Sequence, residues 1–170
     1  MIPLSVPCIQ GNEWKYIKEC LDTEWVSTAG DYVTRFEEEV ANYIGTKNAV
    51  AVVNGTSAIH ISLIASDVQP DDEVIVPDMT WIGSVAPISW IGATPVFVDI
   101  LKDSWCIDPK KIEEAITNST KAIIAVHPYG NLAEMDEIIA IGKKYDIPII
   151  EDAAESLGST INGRPMMQVL

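Results

Sequence analysis

Residues 121–152, KAIIAVHPYGNLAEMDEIIAIGKKYDIPIIED, decide the fold. KAIIAV (121–126) and IPII (147–150) are short, nearly all-apolar runs, the pattern of strands covered on both faces of a parallel sheet. Between them LAEMDEIIAIGKKY (132–145) puts Leu132, Met135, Ile138, Ile139 and Gly142 on one helical face. Strand, helix and strand in so short a span predict a right-handed crossover between parallel neighbours.

The same alternation extends outward. AVAVV (49–53), EVIV (73–76) and TPVFV (94–98) read as further strands, and SAIHISLIAS (57–66), IGSVAPISWIG (82–92) and PKKIEEAI (109–116) as helices. Pro109 suits a first helical turn, with Asp108 as its N-cap, whereas Pro87 should kink or shorten its helix. Two earlier helices, NEWKYIKECLDT (12–23) and VTRFEEEVANYIG (33–45, closed by Gly45), flank the polar connection EWVSTAGDYV (24–33). No internal repeat, low-complexity run or linker interrupts residues 1–170. The expectation is one α/β domain, mainly parallel sheet with helices on both faces. Ligands in such sheets bind outside the carboxyl ends of the strands.

Composition narrows the function. The chain is 48% hydrophobic and 21% charged, as globular proteins are, and its formal charge of −14 argues against polyanionic partners. A nucleic-acid binder would carry a basic face, and the eleven Lys and Arg are scattered. No apolar stretch nears the roughly 20 residues that span a bilayer, and MIPLSVPCIQGNEW has no signal-peptide pattern. Cys8, Cys20 and Cys106 show no C-x-x-C spacing, which fits a reducing cytoplasm and small apolar filler rather than disulfides or zinc.

Four motifs fall at predicted strand ends. After AVAVV, Asn54-Gly55-Thr56-Ser57 opens a helix, where N–H groups, hydroxyls and the dipole suit an anion; a plain N-cap is the alternative. Neither a P-loop nor a G-x-G-x-x-G fingerprint is present. After EVIV comes Trp81, whose indole either stacks on an aromatic ligand or packs into the core. After KAIIAV comes His127, a ligand contact, base, metal ligand or structural histidine. No spacing supports a metal set with Glu151 and Asp152.

After IPII come Glu151 and Asp152, then Glu155 one turn on. Strand alternation sends Ile150 and Asp152 to one side and Glu151 to the other. A carboxylate here suits a protonated heterocycle; if that ring is a pyridine, it becomes an electron sink. An acidic helix start is the competing reading.

VVNGTSAIHISL, DEVIVPDMTWIGSVAPISWIGATPVFVD, DP-x₂-IEEAI, TKAIIAVHPYG and IPIIEDAAESLGS-x₂-NGRP together resemble the DegT/DnrJ/EryC1/StrS family. The opening IPLSVP and the 24–33 segment match as well, so the resemblance covers about residues 2–165, with 166–170 departing. It is nearest the perosamine-synthase and legionaminic-pathway branches. The resemblance implies a pyridoxal 5′-phosphate (PLP)-dependent aminotransferase of the type I, aspartate-aminotransferase fold, represented by the N-terminal part of its large domain. It implies amino transfer from glutamate to a nucleotide-linked keto-sugar for surface polysaccharide or glycan precursors, by a cytoplasmic homodimer that engages neither nucleic acid nor membrane.

Position by position, it implies that Gly55, Thr56 and Ser57 hold the cofactor phosphate, chiefly through backbone amides. Trp81 would stack on the pyridine, Asp152 would pair with its nitrogen, and Glu155 would approach its hydroxyl. Trp25, Thr28, Tyr32 and His127 would lie near the substrate, the first three across a dimer interface.

One family feature has no counterpart. The lysine that carries the cofactor as a Schiff base follows the NGRP region in the family, and Lys15, Lys18, Lys47, Lys102, Lys110, Lys111, Lys121, Lys143 and Lys144 all precede the acidic motif. No catalytic residue is therefore assigned, and no covalent attachment through that lysine. The sequence reads as a truncated aminotransferase without the C-terminal domain, or alternatively as a non-catalytic cofactor-binding or dimerising fragment that pairs with an intact homologue.

Overall fold

A computed structural model describes residues 2–3, 6–28, 30–161 and 164–165. Parts of the IPLSVP, 24–33 and NGRP stretches, and all of 166–170, lie outside the described residues. The chain runs α1 (Glu13–Asp22), α2 (Asp31–Ile44), α3 (Gly55–Ala65), β1 (Glu73–Pro77), α4 (Ile82–Trp90) and β2 (Thr94–Val98). It continues through α5 (Pro109–Ala115), β3 (Thr120–Val126), a 3₁₀ turn (Pro128–Gly130), α6 (Met135–Tyr145) and β4 (Ile149–Asp152). A short antiparallel pair, β5 (Thr160–Ile161) with β6 (Arg164–Pro165), follows.

The four main strands form one parallel sheet in the order β2-β1-β3-β4. In register, Ile75 of β1 lies between Val96 and Ile123, and Val126 pairs with Asp152 at the far end of β3 and β4. Pleating divides the apolar residues between two cores. Ile75, Ile123 and Ala125 face Ile112 of α5 and Ile138 of α6; Val74, Val76, Ile124 and Ile150 face Leu63 of α3 and Ile88 of α4. Helices thus cover both faces, as the near-continuous apolar strands predict. At the edge strand β2 the cover is incomplete, and Phe97 is exposed.

Local chemistry sets the element ends. Asp108 Oδ1 accepts from the Lys110 N–H at 2.9 Å, capping α5 as expected. Gly45 closes α2 in the left-handed region at φ 74°, which a side chain would resist. Pro87 sits inside α4, which stops at Trp90 rather than continuing to residue 92. Helix α6 starts at Met135 and not at 132, and the Ala133 N–H just before it donates to His127 Nδ1 at 3.1 Å.

One expected strand does not form. AVAVV pairs with neither sheet edge and runs as irregular chain into α3, with Val50 exposed and Val53 87% exposed. Its apolar pattern specifies burial, but a strand exists only through a neighbour's hydrogen bonds, and none of the described strands lies beside it. Of the three free cysteines, only Cys106 acts as buried filler; burial pushes its thiol up, while Cys8 is exposed and Cys20 half-buried.

Candidate functional site

The carboxyl ends of β1, β3 and β4 open on a cleft of about 630 Å³, within the size range of small-molecule sites. Its walls are the start of α3 (Asn54, Gly55, Thr56), the β1–α4 turn and first turn of α4 (Met79, Thr80, Trp81, Gly83, Ser84), the β3 end with the 3₁₀ turn, and the β4 end (Asp152, Ala154, Glu155). All four sequence motifs thereby contribute residues to one crevice, as the strand-end rule requires.

At α3, Asn54 Oδ1 caps the helix by accepting from the Ser57 N–H at 2.9 Å. The plain N-cap reading is therefore true of Asn54, and it removes the Ser57 amide as an anion donor. Ser57 is also absent from the cleft lining. The N–H groups of Gly55 and Thr56 have no acceptor among the described residues, which leaves these two amides and the Thr56 hydroxyl as the open donors at this helix start. Space is left for it: a Cβ on Gly55 would meet nothing within 4 Å.

Trp81 is 78% exposed, which rules out the core-packing reading and leaves its ring bordering the cleft. Two residues on, Gly83 lies under both walls. A Cβ there would stand 2.5 Å from Thr56 Oγ1 and 2.9 Å from Trp81 Cδ1. Only a residue without a side chain lets the indole and the α3 hydroxyl approach this closely.

Asp152 ends β4 with its side chain on the α3–α4 face, the side that strand alternation predicts. Ser84 Oγ donates to its Oδ2 at 2.6 Å, and the Ala154 N–H donates to Oδ1 at 3.2 Å. Glu151 points to the opposite face, where its Oε1 meets His127 Nε2 at 2.8 Å. Because His127 Nδ1 accepts from the Ala133 N–H, the ring proton resides on Nε2 and is donated to Glu151. His127 is 1% exposed and has both nitrogens committed within the protein. It braces the cleft floor, which it still lines, with its nitrogens bonded inside the protein. Opposed faces also separate the imagined Glu151–Asp152–His127 metal set. No metal-holding cluster of three His, Cys, Asp or Glu occurs among the described residues.

Glu155 lines the cleft, and its Oε2 accepts from the Tyr129 N–H at 2.7 Å. Tyr129 takes the left-handed region at φ 54°, as does Trp105 at φ 62°, and the two rings meet edge-on with centroids 5.9 Å apart. Such backbone strain costs on the order of 1–3 kcal/mol per residue and gathers at functional sites. Trp25, Thr28 and Tyr32 are not part of the cleft lining. Tyr32 instead donates its hydroxyl to Glu19 Oε2 at 2.8 Å, a bond that pushes the phenol up to about 12. Ser84, Gly83 and Tyr129 were missed in the sequence. The signal for Ser84 was its place one helical turn after Trp81.

No helix among the described residues is long and apolar enough to cross a membrane. A family model described as the DegT/DnrJ/EryC1/StrS aminotransferase family matches residues 7–169. A GDP-perosamine synthase of Caulobacter vibrioides is 43% identical over 163 residues, 96% of this chain and 44% of the relative. An aminotransferase structure from Psychrobacter cryohalolentis superposes with a TM-score of 0.90 at 36% identity, over 96% of this chain and 42% of that one. The E. coli GDP-4-keto-6-deoxy-D-mannose-3-dehydratase, solved with bound hydrated PLP, gives 0.87 at 34% identity, over 95% and 43%. The chain thus spans about 44% of the length of such a curated relative. With the family model running through nearly all of it and the strand-end motifs gathered in one cleft, the chain belongs to the DegT/DnrJ/EryC1/StrS aminotransferase family.

Proposed function

We propose that this chain forms the cofactor cradle of a PLP-dependent enzyme that transfers an amino group from glutamate to a nucleotide-linked keto-sugar. The observation that carries the reading is the spacing of unlike groups around one cleft: two open helix N–H groups at Gly55 and Thr56, an exposed indole at Trp81, and a hydrogen-bonded carboxylate at Asp152. A phosphate, a flat aromatic ring and a ring nitrogen that takes a proton fit those groups in turn. When bound, the cofactor supplies an electron sink for charge that develops beside a nitrogen-bearing carbon.

The residues here have distinct tasks. Gly55 and Thr56 anchor the phosphate, Trp81 covers one ring face, and Asp152 holds a proton on the ring nitrogen. Glu155 steadies the turn that carries Tyr129. None of the lysines lines the cleft among the described residues. The amine that such chemistry uses as covalent anchor and proton carrier has no counterpart among the groups lining this cleft. By themselves these residues bind and orient, which is the whole task under the alternative of a non-catalytic partner to an intact homologue.

The test uses pyridoxamine 5′-phosphate, which has no aldehyde and so binds through the pocket alone. Titration is expected to quench tryptophan fluorescence saturably, and the largest share of the quench should be lost in Trp81→Phe. Unsaturable or Trp81-independent quenching sinks the reading.

The acceptor class rests on the relative named GDP-perosamine synthase, and a nucleotide-linked amino sugar of that kind would serve surface polysaccharide. The free cysteines fit a cytoplasmic setting. The active form is a homodimer. Trp14, Ile17 and Leu21 make an exposed apolar stripe on α1, and Trp25, Thr28 and Tyr32, which do not line their own cleft, reach the substrate from the second copy. Light scattering is expected to give a dimer mass, and a strictly monomeric mass at micromolar concentration would overturn this arrangement.

A further inference from the structure

Helix α4 buries Gly83, Ser84, Val85, Pro87 and Ile88, and among these only Ser84 is polar, at 1% exposure. A buried hydroxyl costs stability unless it is bonded, and a helical serine ordinarily bonds back to its own helix. Ser84 does otherwise. Its Oγ reaches across to β4 and donates to Asp152 Oδ2 at 2.6 Å, while accepting from Thr80 Oγ1 at 3.2 Å. Both hydroxyl protons point toward the carboxylate, and a chain of this sense strengthens each of its bonds. The other oxygen, Oδ1, is held by the Ala154 N–H.

We propose that Thr80 and Ser84 are positioning residues, a two-hydroxyl relay that locks the side chain of Asp152 so that its remaining acceptor capacity faces the ring nitrogen of the cofactor. The relay couples the element carrying the stacking indole to the element carrying the acid, since Trp81 is the N-cap of α4 and Ser84 lies in its first turn. The inference rests on the cofactor reading above.

Affinity for pyridoxamine 5′-phosphate, measured by titration at several pH values, separates the possibilities. Ser84→Ala should bind about tenfold more weakly, roughly the worth of one bond to a charged group, and Ser84→Thr should bind nearly as the unaltered protein. Thr80→Val, which removes only the outer hydroxyl, should lose about threefold, within the range of a neutral hydrogen bond, and serves if Ser84→Ala folds poorly. Bound ring nitrogen should give up its proton at lower pH in Ser84→Ala, seen in the cofactor's absorbance. In an Asp152→Asn background, Ser84→Ala should change affinity by less than about twofold, because its route of action is already gone. An equal loss in both backgrounds means that the hydroxyl acts through packing and overturns the relay. So does unchanged affinity in both Ser84→Ala and Thr80→Val. If the unaltered protein does not bind the probe, the cofactor reading itself fails; if it binds in an Asp152-dependent way with no effect at residues 80 and 84, only the relay fails.

Discussion

Asp152→Asn is expected to weaken pyridoxamine 5′-phosphate binding by about 10- to 100-fold, the range for losing a hydrogen bond between charged partners. The change is nearly isosteric, but asparagine keeps one acceptor oxygen where Asp152 uses two, so the charge-assisted bond from Ser84 or the bond from the Ala154 N–H is lost at a cost of about 1 kcal/mol, too little to unfold the protein. What disappears is the negative charge opposite the ring nitrogen. A carboxylate favours the protonated ring, so in the unaltered protein the bound ring should keep its proton to higher pH than in the variant. The absorbance of bound cofactor, followed from acid to alkaline pH, is expected to change at lower pH in Asp152→Asn. Equal affinity and coincident pH curves would remove Asp152 from the site.

Gly83→Ala is expected to separate stability from binding. Its new methyl group would sit 2.5 Å from Thr56 Oγ1 and 2.9 Å from Trp81 Cδ1, far inside contact distance. Overpacking of this kind costs about 1–3 kcal/mol, while replacing a helical glycine with alanine returns up to about 1 kcal/mol. Relief comes from moving the Thr56 and Trp81 side chains, which face open space in the cleft, and not from moving the buried α4 backbone. The melting temperature should therefore fall by only a few degrees, and affinity for pyridoxamine 5′-phosphate by tenfold or more, at about 1.4 kcal/mol per decade. Affinity within twofold of the unaltered protein would show that the close approach of these two side chains has no part in binding.

Several elements are legible in the sequence. The β3–α6–β4 crossover follows from two apolar runs bracketing an amphipathic one, and Asp108 and Gly45 terminate their helices by chemistry confined to neighbouring residues. The facing of Asp152 follows from the two-residue period of a strand. Predictions failed wherever the deciding partner is distant in sequence. AVAVV has the composition of a buried strand but no strand beside it. His127 looks available as a ligand until Glu151 and Ala133 occupy its two nitrogens. The Ser57 amide was the exception, a local bond to Asn54 overlooked in favour of the anion.

By itself, the sequence determined the fold class, the family and the strand ends on which the cleft is built, because periodicity, capping and motif order are properties of adjacent residues. Tertiary structure alone decided which groups in the cleft are open and which are committed. It set Ser84 against Asp152, squeezed Gly83 beneath Thr56 and Trp81, and bonded both nitrogens of His127 within the protein. Each of those outcomes depends on packing between elements far apart in the chain, and no local pattern encodes a distance between them.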